Sequence, residues 1–260
     1  MIWLLALQLS LSPQQQHYDN AKADLGRMQF TLADQEVEEA LRLDQDFVPA
    51  LILKARLALF AHQPDIAKSC LIKAVIIDPS SEDAQFFLGM FYYLQNDFAF
   101  GIPPLEKAQA LSPQAPMPPF YLAMSKEAMG DATAALRFYE QAETLATEKT
   151  PQTASILVAH GRLLFSLGRF EESIAKDQLA IEADNQSRDA FYEKAKGLER
   201  EGQYQAAAVE AERALTLPEL GTSDSQIHFL LGRVYLKLNQ PDLAASHLAK
   251  FHAAPQTTQR

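Results

Sequence analysis

Three stretches decide how this chain is read: Ala40-Leu41-Arg42-Leu43-Asp44, Ala74-Val75-Ile76-Ile77-Asp78-Pro79 and Ala108-Gln109-Ala110-Leu111-Ser112-Pro113. Their leading alanines stand 34 residues apart, and the register continues through Ala142, Ala180, Ala214 and Phe251 in steps of 34, 38, 34 and 37. Short insertions near Thr147–Pro151 and Pro218–Thr222 account for the longer steps. Nineteen residues before each of these positions stands a small residue: Ala21, Ala55, Gly89, Ala123, Gly161, Ala195 and Gly232. Seven residues before each stands another: Ala33, Ala67, Gly101, Ala135, Ser173, Ala207 and Ala244. Small side chains at fixed points let two helices approach closely, because interaxial distance depends on the residues at the contact. Large apolar residues such as Leu71, Leu105, Tyr139 and Leu248 sit among them.

Between the two small positions the pattern breaks at Asn96, Gly130, Gly168, Gly202 and Asn239. Glycine and asparagine tolerate the left-handed conformation that ends a helix. Each unit therefore reads as helix, tight turn, helix, with Pro79, Pro113 and Pro218 marking exits from second helices. Alanine is abundant and only 10 of 260 residues are glycine, a composition that favours helix over strand. Internal repetition at this period is the signature of a solenoid.

These residues resemble the tetratricopeptide repeat family, whose pattern is a small residue at repeat position 8, a small one at 20, alanine at 27 and often proline at 32. Seven units would begin near residues 14, 48, 82, 116, 154, 188 and 225, so the resemblance spans residues 14–258. It implies an all-α, right-handed superhelical solenoid of antiparallel helix pairs. Some units depart from the pattern. Pro103 and Pro104 fall where the third unit's second helix should be under way, and proline is tolerated only in a first turn, so that helix is expected to start late or kink. Ala115-Pro116-Met117-Pro118-Pro119 opens the fourth unit and stiffens the junction there. The first unit carries Asp24 and Gly26 in its first helix, and the seventh has Phe251 in place of alanine.

The resemblance also implies a concave groove lined by first helices, with the fifth and ninth residues of each unit facing it. At the fifth stand Tyr18, Ile52, Phe86, Phe120, Val158, Tyr192 and Phe229; at the ninth stand Lys22, Arg56, Met90, Met124, Arg162, Lys196 and Arg233. Positions four apart share a helix face. The expected groove is an apolar, mostly aromatic stripe beside a basic one broken at Met90 and Met124, suited to an extended partner segment with acidic and apolar side chains. Aromatics, Met and Arg are enriched at interfaces. The plainer alternative is that the aromatics pack against the next unit and the basic residues are solvated. Family members that grip acidic chaperone tails use Lys and Asn at fixed points of first helices, and the paired asparagines are missing here.

Other classes fit worse. A formal net charge of −10 argues against a backbone-driven nucleic-acid binder. There is no Gly-Lys-Ser/Thr phosphate loop, no His-Glu-x-x-His and no Cys-x-x-Cys, so neither catalysis nor a cofactor is expected. His247 and His252 lie five apart and are poorly placed to share a metal. The pairs Glu38-Glu39 and Glu171-Glu172 read as solvated second-helix faces, and Cys70 as a small buried hydrophobe. No stretch reaches the ~18 apolar residues of a membrane span. Residues 1–13 read either as a signal-peptide core without preceding basic residues or as a short helix capping the first unit. Export and cytoplasmic residence are therefore both open. Residues 253–260 read as a frayed tail. The function expected is a non-catalytic scaffold that binds a protein or peptide. The alternative is a structural repeat protein that self-associates through its terminal units.

Overall fold

A computed structural model describes residues 12–219 and 221–253 of the chain; residues 1–11 and 254–260, which hold most of both terminal segments, lie outside the described residues. The described chain is all α-helix in fourteen elements. The first unit, up to Gln114, contains α1 (Pro13–Gly26), α2 (Phe30–Leu43), α3 (Val48–Phe60), α4 (Pro64–Ile77), α5 (Glu82–Leu94) and α6 (Phe98–Leu111). The second, from Ala115, contains α7 (Met117–Ala128), α8 (Ala132–Leu145), α9 (Pro151–Ser166), α10 (Phe170–Ala183), α11 (Arg188–Arg200), α12 (Tyr204–Leu215), α13 (Asp224–Lys237) and α14 (Pro241–Ala253). The division between units falls at the Pro-rich opening of the fourth repeat.

Each odd-numbered helix pairs with the even-numbered helix that follows it, and each even helix within a unit packs on the next odd one. Every pair meets through its small residues. Ala21, Ala33, Ala55, Ala67, Ala123, Ala135, Ala195, Ala207 and Ala244 are all fully buried. Within the first unit α3 also touches α5; within the second, α7, α9, α11 and α13 touch in succession. Second helices make no comparable contact with one another, so each unit bends toward its first-helix side.

The turns share one device. Met28, His62, Asn96, Gly130, Gly168, Gly202 and Asn239 all have positive φ, between 56° and 81°. The residue after each donates its N–H back to a carbonyl in the last turn of the preceding helix, as Asp131 does to Lys126 at 2.9 Å and Gln63 to Ala58 at 2.8 Å. This left-handed cap satisfies carbonyls that a helix end leaves orphaned. Met28 and His62 adopt it without the usual glycine or asparagine, which is why the sequence pattern showed only five of the seven turns. Side-chain caps at Ser81, Asp131, Thr150, Ser187 and Ser223 start α5, α8, α9, α11 and α13.

Pro103 and Pro104 correct one expectation. α6 does not start late; it runs from Phe98 to Leu111 with both prolines inside it. Proline withdraws the hydrogen bonds otherwise made to the carbonyls of Ala99 and Phe100. Both residues are exposed, so water can satisfy those carbonyls while Gly101, Leu105 and Ala108 hold the other face against α5. The insertion at Thr147–Pro151 proves to be the entry to α9, which Thr150 caps and Pro151 begins.

Candidate functional site

In the first unit the first-helix face is apolar and basic. Tyr18 of α1 is half-buried, edge-on to Phe47 at 5.7 Å, and the Lys22 ammonium lies 5.5 Å from its ring centre. On α3, Ile52 is buried and packs inward, while Arg56 is exposed with its guanidinium 5.1 Å from the Phe87 ring of α5. Phe60, one turn beyond Arg56 on the same face, is 64% exposed. On α5, Phe86 and Met90 are half-buried and Leu94 is exposed. Neither Lys22 nor Arg56 has an ion-pair partner among the described residues.

The second unit differs. Phe120 and Val158 are buried, Phe120 lying 6.1 Å from the Tyr139 ring, and Met124 is half-buried. The cations are matched by carboxylates. Arg162 donates from Nε to Glu193 at 2.9 Å and from Nη2 to Asp189 at 3.3 Å. Lys196 donates to the other oxygen of Glu193 at 2.5 Å, with its ammonium 5.4 Å from the Tyr192 ring and 4.8 Å from that of Phe165. Arg233 donates to Glu199 at 2.7 Å and lies 5.6 Å from the Phe229 ring, which in turn meets Phe251 at 5.0 Å. Burial lowers the affinity of Arg162 for its proton, but Glu193 and Asp189 outweigh it and the net shift is upward. The basic row of this unit is thus an ion network. Only Glu193 stands one turn in sequence from a cation it meets, Lys196; Asp189 and Glu199 meet Arg162 and Arg233 from the neighbouring first helix, and the fifth and ninth positions do not include them.

Beneath this network lies Asp177 of α10, with no exposed surface and, among the described residues, no well-formed hydrogen bond to either carboxylate oxygen. It stands against Gly161, where an added Cβ would come within 2.7 Å of its Oδ1. Burial, then the charge of Glu193, pushes Asp177 up to about 8; Lys196, Arg162 and Ser173 pull the other way. Asp177 is therefore a neutral acid at neutral pH. A second buried polar group, His160, stacks on Tyr139 at 5.5 Å and shares a 2.7 Å hydrogen bond with Glu143, which also accepts from Lys176 at 2.6 Å.

His247 pairs not with His252 but with His228, Nδ1 to Nδ1 at 3.0 Å, joining α13 to α14. Tyr235 stacks on His247 and donates to Glu212; burial, then that carboxylate, pushes its phenol up to about 12. Burial, and then Lys250 for His228 and His228 for His247, holds both imidazoles below their ordinary value. One ring must donate and the other accept, so a second proton breaks the bond. A group whose folded pKa is depressed contributes stability that is lost as pH falls. Protection factors of α14 amides, the intrinsic rate at each pH divided by the observed rate, are expected to fall as pH drops below about 6.5, by at most about 1.4 kcal/mol of opening free energy per pH unit for each extra proton. His247→Phe should reduce that dependence, since it removes one of the two imidazoles and leaves His228 depressed by burial and Lys250; an unchanged profile in the variant would show that the pair is not its source. Cys70 is half-buried, and burial pushes its thiol up. Among the described residues no helix is long and apolar enough to cross a membrane.

Helix pairs of this length, small-residue crossings and left-handed turns define a class of helical repeat. The sequence model of the tetratricopeptide repeat matches residues 52–116, 122–188 and 192–256. The chain belongs to the tetratricopeptide repeat family, whose members generally mediate protein–protein interactions and whose fold is generally a non-catalytic scaffold. No curated protein matches the sequence. Among solved structures, the APC/C hetero-tetramer Cut9–Hcn1 aligns with a TM-score of 0.74 at 16% identity, over 85% of this chain and 42% of that one. This chain thus spans less than half of that relative. A tetratricopeptide repeat protein of Parabacteroides merdae aligns at 0.66 and 12% identity, covering 95% and 94% of the two chains. YrrB, described as a repeat protein with an unusual peptide-binding site, aligns at 0.52 and 18% identity over 69% of this chain and 91% of its own. At these identities the likeness concerns the fold.

Proposed function

We propose that residues 12–114 hold an extended segment of a partner protein along their first-helix face, with partner carboxylates on Lys22 and Arg56 and apolar side chains on Phe60, Met90 and Leu94. One observation carries the reading. Along the row of predicted cations, Lys22 and Arg56 stand exposed against aromatic rings without an ion pair among the described residues, whereas Arg162, Lys196 and Arg233 are each neutralised within the chain. An exposed cation on an aromatic platform is free to meet a carboxylate, and charge complementarity at such a rim speeds association and sets specificity. Apolar side chains flanking it supply the buried area that gives affinity. The occupant is of the same kind as that described for YrrB, a peptide.

The test is a pull-down from the source cells with wild type, a Lys22→Glu, Arg56→Glu variant, and a control reversing Lys107 and Arg137 on second helices. The first variant is expected to lose specific partners at least tenfold while its helix content is unchanged; the control keeps them. Equal capture by the first variant and wild type would refute the reading. Reversing Arg162 instead would leave the buried Glu193 carboxylate facing another carboxylate, and is expected to lower stability before it reports on binding.

A further inference from the structure

At the turn end of the first unit, α2 and α3 leave an open cleft of about 230 Å³. Its lining includes Phe30, Thr31 and Asp34 of α2, Lys54, Leu57 and Phe60 of α3, and Gln63 just beyond. The Phe30 and Phe60 rings stack with centroids 4.2 Å apart and planes 16° apart, yet Phe60 is 64% exposed. At the register of Phe60 the later repeats carry Leu94, Ala128, Ser166, Arg200 and Lys237, none of them aromatic, so the ring on this position of a first helix is particular to α3; the Tyr139–His160 stack joins α8 to α9 at another register.

Size and charge narrow the occupant. Pockets for small molecules and cofactors run from about 300 to 1,000 Å³, so this cleft suits one side chain. Its lining ammonium is already satisfied: Lys54 donates to Asp34 at 2.8 Å and to Glu38 at 2.9 Å. Two carboxylates share that one ammonium, so the α2 side is acidic by one charge and repels an acidic group. The unpaired Arg56 guanidinium, one turn from Phe60, leans the other way, over Phe87 of α5. The inserted group is therefore not acidic, the Phe30 and Phe60 rings offer it an aromatic face, and its acidic neighbours lie toward α5.

We infer that the cleft between α2 and α3 seats one aromatic side chain of the bound segment, stacked on Phe60, with flanking carboxylates of the segment reaching Arg56 on the α5 side. This rests on the partner-binding reading above and names its anchor. Aromatic anchors in a side-chain-sized pocket, surrounded by weaker polar contacts, are the usual way a segment concentrates binding energy. Offset ring stacking adds to the burial.

Fluorescence anisotropy of two fluorescein-labelled acidic heptapeptides, with phenylalanine or alanine at the centre and otherwise identical, tests it on the full chain. Wild type is expected to bind the phenylalanine peptide at least tenfold more tightly. Phe60→Ser, and independently Thr31→Trp, which fills the cleft from an exposed position, should reduce that preference below threefold by weakening the phenylalanine peptide. Arg56→Glu should weaken both peptides alike. Equal affinity of wild type for the two peptides overturns the anchor cleft, and if Arg56→Glu still weakens both, the charged face stands without it. A preference that survives both cleft variants also overturns the inference, as does a wild type that binds neither peptide; the pull-down above then judges the wider reading separately.

Discussion

Asp177→Leu is expected to stabilise the second unit by about 4 kcal/mol at pH 7, as read by urea unfolding across a pH series. The native acid is held up to about 8 by burial and by Glu193, while an unfolded aspartate ionises near its ordinary value of 3.8. A group whose folded pKa is raised contributes stability that is fully present at low pH and is lost as pH rises toward the folded value. Wild type therefore loses about 1.4 kcal/mol per pH unit between about pH 4 and pH 8 from this side chain alone, and nothing further above that. Other carboxylates act oppositely; Glu143, held down against its own burial by His160 and Lys176, loses stability as pH falls. The informative quantity is thus the difference between wild type and variant. It should be small at pH 4, grow to about pH 8 and then level. Asp177→Asn separates the causes, since it removes the proton but leaves an unpartnered amide: it should flatten the profile with less gain at pH 7. A constant difference across pH would show that Asp177 is already ionised and paired in the native state.

Leucine is the natural occupant of that slot. Val37, Leu71, Leu105, Tyr139 and Ala211 stand at the same register of other repeats and are buried, and Leu105 lies against Gly89 as Asp177 lies against Gly161. The position could have been read from the period, three residues before each buried alanine. Its consequence could not, because whether a carboxylate there finds a partner depends on side chains brought in from α9 and α11. The same limit explains the rest. Period and small residues made the helix pairs legible, since those residues set how closely backbones approach. Turn geometry was legible only where glycine or asparagine announced it, and Met28 and His62 take the same conformation because the helices on either side impose it. On the candidate surface, spacing put Lys22, Arg56, Arg162, Lys196 and Arg233 on equivalent points of first helices. It could not show that Asp189, Glu193 and Glu199 neutralise the last three, since those pairs include contacts 27, 31 and 34 residues apart. Nor could it show a cleft formed by Phe30 and Phe60, which belong to different repeats.

Gly89→Val is expected to cost at least ~3 kcal/mol and to unfold α5 and α6 preferentially. These helices cross where Gly89 faces Gly101. A Cβ at position 89 would sit 2.4 Å from Leu105 Cγ, 2.8 Å from its Cδ2 and 3.0 Å from the Gly101 carbonyl oxygen. Leu105 is fully buried and cannot swing away without leaving a void, and the carbonyl belongs to backbone. Helix propensity works in the other direction, favouring a larger residue over glycine by up to about 1 kcal/mol, so contact and not propensity must decide the sign. Gly89→Ala should fall between wild type and valine. Leu105→Ala alone removes a packed side chain and is expected to cost about 2–5 kcal/mol. If the collision with Leu105 is the cause, the Gly89→Val, Leu105→Ala double variant will be more stable than the sum of the two singles by 1 kcal/mol or more, because the added methyls occupy the space vacated. Additive costs would place the strain on the Gly101 carbonyl instead. Each repeat leans on its neighbours, so hydrogen exchange should show the loss in α5 and α6 first and in α3 and α4 next. The Lys22 and Arg56 surface would then loosen in proportion, tying partner affinity in the first unit to a glycine whose side is turned away from it.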